Sequence, residues 1–109
     1  MNKKIQLIRD QNDAFRTTYS GGYFAVSNGI KALPENLQNK IHWAVMRDTN
    51  FSAANDPYET HDFGIVIVDG TKANWKIDYY DKDMHSASND PSDPNVTERV
   101  LTVMLPIEY

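Results

Sequence analysis

A chain of 109 residues has room for one hydrophobic core and not for two, so a single domain over residues 1–109 is the starting expectation. Apolar residues make up 40% and charged residues 24%, which excludes a disordered chain, and the absence of cysteine excludes disulfides and thiolate metal sites. A net charge of −4, a pI near 5.2 and eleven scattered Lys and Arg residues argue against the broad basic face of a nucleic-acid binder.

The N-terminal stretch from Met1 to Asp10 is interrupted by charges before any run long enough for an export signal. The longest apolar run, Ile65 to Val68, falls far short of the roughly 20 residues of a membrane-spanning helix, so a cytoplasmic location is expected. Ile5, Ile8, Asn12 and Phe15 recur at helical spacing with Leu7 beside them, which predicts a first helix over Lys3–Arg16. Tyr19-Ser20-Gly21-Gly22 then turns the chain into a short strand, Tyr23–Val26, and Ser27-Asn28-Gly29 turns it again. Pro34 suits the first turn of a helix and Glu35 its positive end; Leu37, Ile41, Ala44 and Val45 carry the pattern to Arg47. Thr49 to His61, rich in Asn, Asp, Ser and Pro, reads as a loop with a turn at Asn55-Asp56-Pro57.

Phe63–Val68 and Asn74–Tyr80 are two strand-like runs separated by Asp69-Gly70-Thr71-Lys72-Ala73, a hairpin signal. A polar loop over Asp81–Asn95 precedes a last strand, Arg99–Leu105. The predicted class is α+β in the order α-β-α-β-β-β: a mostly antiparallel sheet of about four strands, two helices on one face and the other face open. A three-residue connection at Gly70-Thr71-Lys72 would pair Ile67 with Trp75, Ile65 with Ile77 and Phe63 with Tyr79 on an apolar face. The same register gathers Asp62, Lys76, Asp78 and Tyr80 on the opposite face.

Two carboxylates on adjacent strands are able to share a proton or hold a divalent metal, with Lys76 or Tyr80 orienting a phosphate or a water. The plainer alternative is an ordinary solvated face with Lys76 paired to a carboxylate. Glu59 and His61 add mixed oxygen and nitrogen ligands next to Asp62, although the three histidines, His42, His61 and His85, show no zinc spacing. Asp81-Lys82-Asp83 opens like a calcium loop, but Ser86 and Ser92 replace its Gly and closing Glu. No Gly-x-Ser-x-Gly elbow or phosphate-binding loop is present. Trp43, Trp75 and six tyrosines offer recognition surface, with Trp75 expected in the core.

The segments Asn55 to Gly64, Trp75 to Asp81 and Val96 to Leu105, together with Arg9-Asp10-Gln11-Asn12-Asp13 and Ala32-Leu33-Pro34, resemble the bacterial family domain of unknown function 3768. The motif positions fall on Asp56, His61, Asp62, Phe63, Gly64, Trp75, Lys76, Asp78, Tyr79, Tyr80 and Asp81. The resemblance implies a small single-domain bacterial protein, often encoded near mobile-element genes, with no assigned activity or cofactor.

Small size, acidic balance and an open sheet face point to a non-enzymatic protein-binding accessory, or an anti-defence (anti-CRISPR-like) inhibitor associated with a mobile element, with a protein partner and no cofactor. The expected binding residues are Glu59, His61, Asp62, Lys76, Asp78, Tyr80 and Asp81. A rival reading is a metal-assisted hydrolase or nuclease-like enzyme with Asp62, Asp78, His61 and Lys76 at the reaction and Glu59, His61, Asp62 and Asp78 on the metal. An exposed terminal strand is also able to pair two copies edge to edge as a homodimer.

Overall fold

The structure is a computed structural model that describes residues 2–109. Its elements are α1 (Lys3–Thr18), β1 (Tyr23–Val26), α2 (Asn28–Lys31), α3 (Glu35–Arg47), β2 (Phe63–Val68), β3 (Thr71–Tyr80), β4 (Glu98–Met104) and a terminal 3₁₀ turn, Pro106–Glu108. The α+β class and the four expected strands are present, and the chain adds one helical turn, α2, where the sequence suggested only a bend.

Local chemistry accounts for the ends of the helices. Asn2 caps α1 by accepting the amides of Lys4 and Ile5, and Tyr19 closes it in a left-handed conformation with φ of 57°. Ser27 caps α2 through the Ile30 amide. Pro34, which lacks a donor, stands immediately before α3 with Glu35 in its first turn.

The sheet order is β1-β4-β3-β2, antiparallel except for the parallel β1–β4 pair. Phe15, Ile30, Ile41 and Val45 from the helices meet Val66, Ala73, Trp75, Ile77, Leu101 and Val103 in one core on one face of the sheet. Trp75 is fully buried, as its sequence context suggested. Two charged guanidiniums lie inside this layer. Arg16 is 2% exposed; it donates to the Val45 carbonyl at 2.7 Å and sits 4.8 Å from the Trp75 ring. Arg99 donates to Asn12 Oδ1 at 2.8 Å and to the Pro91 carbonyl at 2.6 Å, and lies 5.2 Å from the Tyr79 ring.

The hairpin register differs from the expected one. The turn is the two-residue Asp69-Gly70, with φ of 50° and 79°, so Val68 pairs with Thr71, Ile65 with Asn74, Gly64 with Trp75 and Phe63 with Lys76. Positive φ at both central residues is the geometry whose twist matches a right-handed strand pair, and Asp-Gly supplies it with little strain. The shift from the expected pairing is odd, so it moves one strand's side chains to the other face. Phe63, Ile65 and Ile67 point away from the helices, while Gly64 leaves room for the Trp75 indole, whose Nε1 donates to Asp48 Oδ2 at 2.9 Å.

The helix-free face is not bare throughout. The terminal turn folds back over one end of it, and the Tyr109 ring meets Phe63 edge-on with centroids 5.5 Å apart. Glu108 fastens that turn by accepting from the Ser27 hydroxyl and from the Gly29 and Leu105 amides at 2.9 and 2.8 Å.

Candidate functional site

The corrected register separates the four residues expected to converge. Asp62 lies on the helix side, where its Oδ2 accepts from the Tyr79 hydroxyl at 3.1 Å; that hydroxyl in turn accepts from Asn12 at 2.7 Å. Lys76, Asp78 and Tyr80 lie on the opposite face with Val100, Thr102 and Met104 of β4. A β-sheet therefore stands between Asp62 and Asp78, and the two carboxylates are unable to share a metal or act on one substrate. The Asp62/Asp78 hydrolase geometry is overturned for that reason, and among the described residues no group of three or more His, Asp or Glu side chains is placed to hold a metal ion.

Glu59, His61 and Asp62 belong to a different constellation, at the junction of the 49–62 loop with α1. Glu59 and His61 both take left-handed backbone conformations, with φ of 60° and 55°. Such conformations are costly for residues other than glycine and persist where the surroundings hold them. The holder is Asp56, which is buried and whose Oδ1 accepts the amides of Thr60 and His61, each at 3.1 Å. The imidazole of His61 stacks on Phe51 with centroids 3.7 Å apart, meets the Asp13 carboxylate at 2.9 Å through Nδ1, and places Nε2 3.6 Å from Asp56 Oδ2. Cavities of about 260 and 620 Å³ lie on either side of this stack, the first walled by Arg9, Asp56, Pro57 and Glu59, the second by Asp13, Arg16, Met46 and Asp48. Both imidazole nitrogens face carboxylates of the chain itself. His61 thus ties the loop to α1 through Nδ1, while Nε2, 3.6 Å from Asp56 Oδ2, makes no hydrogen bond among the described residues.

Asp13, Phe51 and Asp48 were absent from the expected set. Their signal is present but weak: Asn12 and Arg16, four residues apart, interrupt the apolar stripe of α1, the mark of a helix that buries polar groups against partners elsewhere in the chain.

On the helix-free face, Lys76 Nζ meets Asp78 Oδ2 at 2.9 Å. That hydrogen bond holds the ammonium above its ordinary pKa, burial working in the other direction. The pair lies in a groove of about 460 Å³ closed on one side by Glu108 and Tyr109. Toward the outer edge of the same face, Ile65 is 39% and Ile67 67% exposed. Asp81, the last of the expected binding residues, lies just beyond β3; its Oδ1 accepts the His85 amide at 3.2 Å and so shapes the following turn.

Residues 26–108 match the family model described as a protein of unknown function, DUF3768. The chain belongs to that family. No curated protein and no solved structure matches it. The matched segment holds both strands of the hairpin, His61, Asp56 and the groove apart from Tyr109, whereas α1, which supplies Asn12, Asp13, Phe15 and Arg16 to the core and the His61 junction, precedes it.

Proposed function

We propose that the chain is a non-enzymatic binding protein that acts on a protein partner through the helix-free face of its sheet, as an accessory or inhibitory factor of the kind carried by mobile elements. The observation that carries this reading is the composition of that face: exposed Ile65 and Ile67 beside a groove floored by the Lys76–Asp78 pair and rimmed by Tyr80 and Tyr109. Apolar area supplies affinity and a fixed ion pair supplies orientation, a combination typical of protein recognition sites. The inhibitory role, including action against a host defence enzyme, follows from the same logic, since a small acidic domain blocks another protein by covering its surface.

Affinity capture from a bacterial host lysate at low salt tests the reading with two chains, the natural one and Lys76→Glu. The charge reversal sets a carboxylate beside Asp78 in the groove. The natural chain should retain a stoichiometric partner that the variant, melting within a few degrees of it, releases. Capture of no stoichiometric protein, or equal capture by both chains, would refute it.

A further inference from the structure

β2 is the outermost strand of the sheet, and its free side follows from one hydrogen bond. The Ile77 amide donates to the Asp62 carbonyl at 2.8 Å, so Asp62 is an inward-bonded residue of the hairpin. Inward and outward bonding alternate along an antiparallel strand, which turns the N–H and C=O groups of Phe63, Ile65 and Ile67 away from β3. None of these six groups has a hydrogen-bond partner among the described residues. Free edges in natural sheets are ordinarily blunted by a lysine, a proline, a bulge or shortness. Phe63-Gly64-Ile65-Val66-Ile67-Val68 has no charge and no proline, and its pairing with β3 runs without a bulge. The opposite edge, β1, is only four residues long.

We infer that β2 pairs antiparallel with β2 of a second copy of this chain, about a two-fold axis at Ile65. Only residues with outward main-chain groups are able to form the new ladder, and the largest overlap of three such residues with the same three reversed sets Ile65 against Ile65 and Phe63 against Ile67. This arrangement forms about six main-chain hydrogen bonds. From Phe63 to Ile67 every cross-strand pair is apolar, with Gly64 meeting Val66 on the helix side and Val68 meeting Asp62 at either end, so no like charges are set opposite one another. A two-fold axis closes the assembly at two copies. The result is one eight-stranded sheet whose two helix-free faces are continuous. The inference rests on the strand's edge and stands apart from the role proposed for the face.

The absence of cysteine makes the register testable with single substitutions. In the paired arrangement the two Ile65 Cα atoms lie about 5.5 Å apart, within the span a disulfide bridges. The two Ile67 residues are displaced by four positions along the strands, about 14 Å, beyond that span. Light scattering on the natural chain should give 25 kDa, twice the 12.5 kDa of one copy. Under mild oxidation Ile65→Cys should form a covalent dimer, whereas Ile67→Cys, although more exposed, should stay largely monomeric on a denaturing gel. A mass of one copy at every concentration, or cross-linking of Ile67→Cys as complete as that of Ile65→Cys, would overturn the inference.

Discussion

Replacing Gly64 by alanine would place a methyl group inside contact distance of Trp75 Nε1 and 2.5 Å from Asp48 Oδ2. Neither neighbour yields easily: the indole is fully buried, and its hydrogen bond to Asp48 is the contact the methyl would displace. Forcing a methyl into a packed core costs about 1–3 kcal/mol. Losing the bond to a buried carboxylate costs about as much again, roughly 1–3 kcal/mol. The sum, about 4 kcal/mol, is a large share of the roughly 5–16 kcal/mol expected for a domain of this size. At about 4 °C per kcal/mol the melting midpoint should fall by roughly 15 °C. Circular dichroism at rising temperature reads this directly, and urea unfolding should show a lower midpoint at unchanged slope. The substitution also discriminates between registers. Had Gly64 stood opposite Asp78 on the solvated face, a methyl there would be nearly neutral. A fall of less than about 3 °C would therefore refute the placement of Gly64 beneath Trp75.

The Glu108 clamp predicts an acid-sensitive C-terminus. Bonds from Ser27, Leu105 and Gly29 hold its carboxyl below the ordinary range, so the stability it lends is fully present above the unfolded value of about 4.3 and is lost as pH falls through the lower folded value. Amide resonances of Gly29 and Leu105 followed by NMR below pH 5 should move together while core amides such as that of Leu101 hold still; independent movement would count against the clamp. Separation of Asp62 from Asp78 predicts that millimolar Mg²⁺, Mn²⁺ or Zn²⁺ leaves the melting midpoint unchanged, whereas an ion bound one hundredfold more tightly than its concentration would add about 2.7 kcal/mol. A rise of that size, removed by Asp78→Asn, would restore a metal site on the groove side.

Strands and helices were legible because each has a period of its own. The short apolar run Phe63–Val68 and the spacing of Leu37, Ile41 and Val45 match the structure to within a few residues at every end. The two-residue turn was also written in Asp69-Gly70, a pair that readily takes positive φ, but the connection expected at Gly70-Thr71-Lys72 passed over it. The face that each hairpin residue occupies was not legible. β2 is apolar at nearly every position, so alternation did not distinguish Phe63, Ile65 and Ile67 from Gly64, Val66 and Val68, and cross-strand pairing alone favoured the wrong choice. Contacts with Ile41 and Val45 and the space above Gly64 put Trp75 on the helix side, and the site residues followed it.

The sequence by itself determined the class and, α2 apart, the element order of this chain, because composition and periodicity are properties of neighbouring residues. Only the tertiary structure decided which polar groups meet. Asp13 reaches His61 across 48 positions and Asn12 reaches Arg99 across 87. No local pattern records a pairing at such separations, which is fixed by the packing of α1 and the 49–62 loop against a sheet assembled from the rest of the chain.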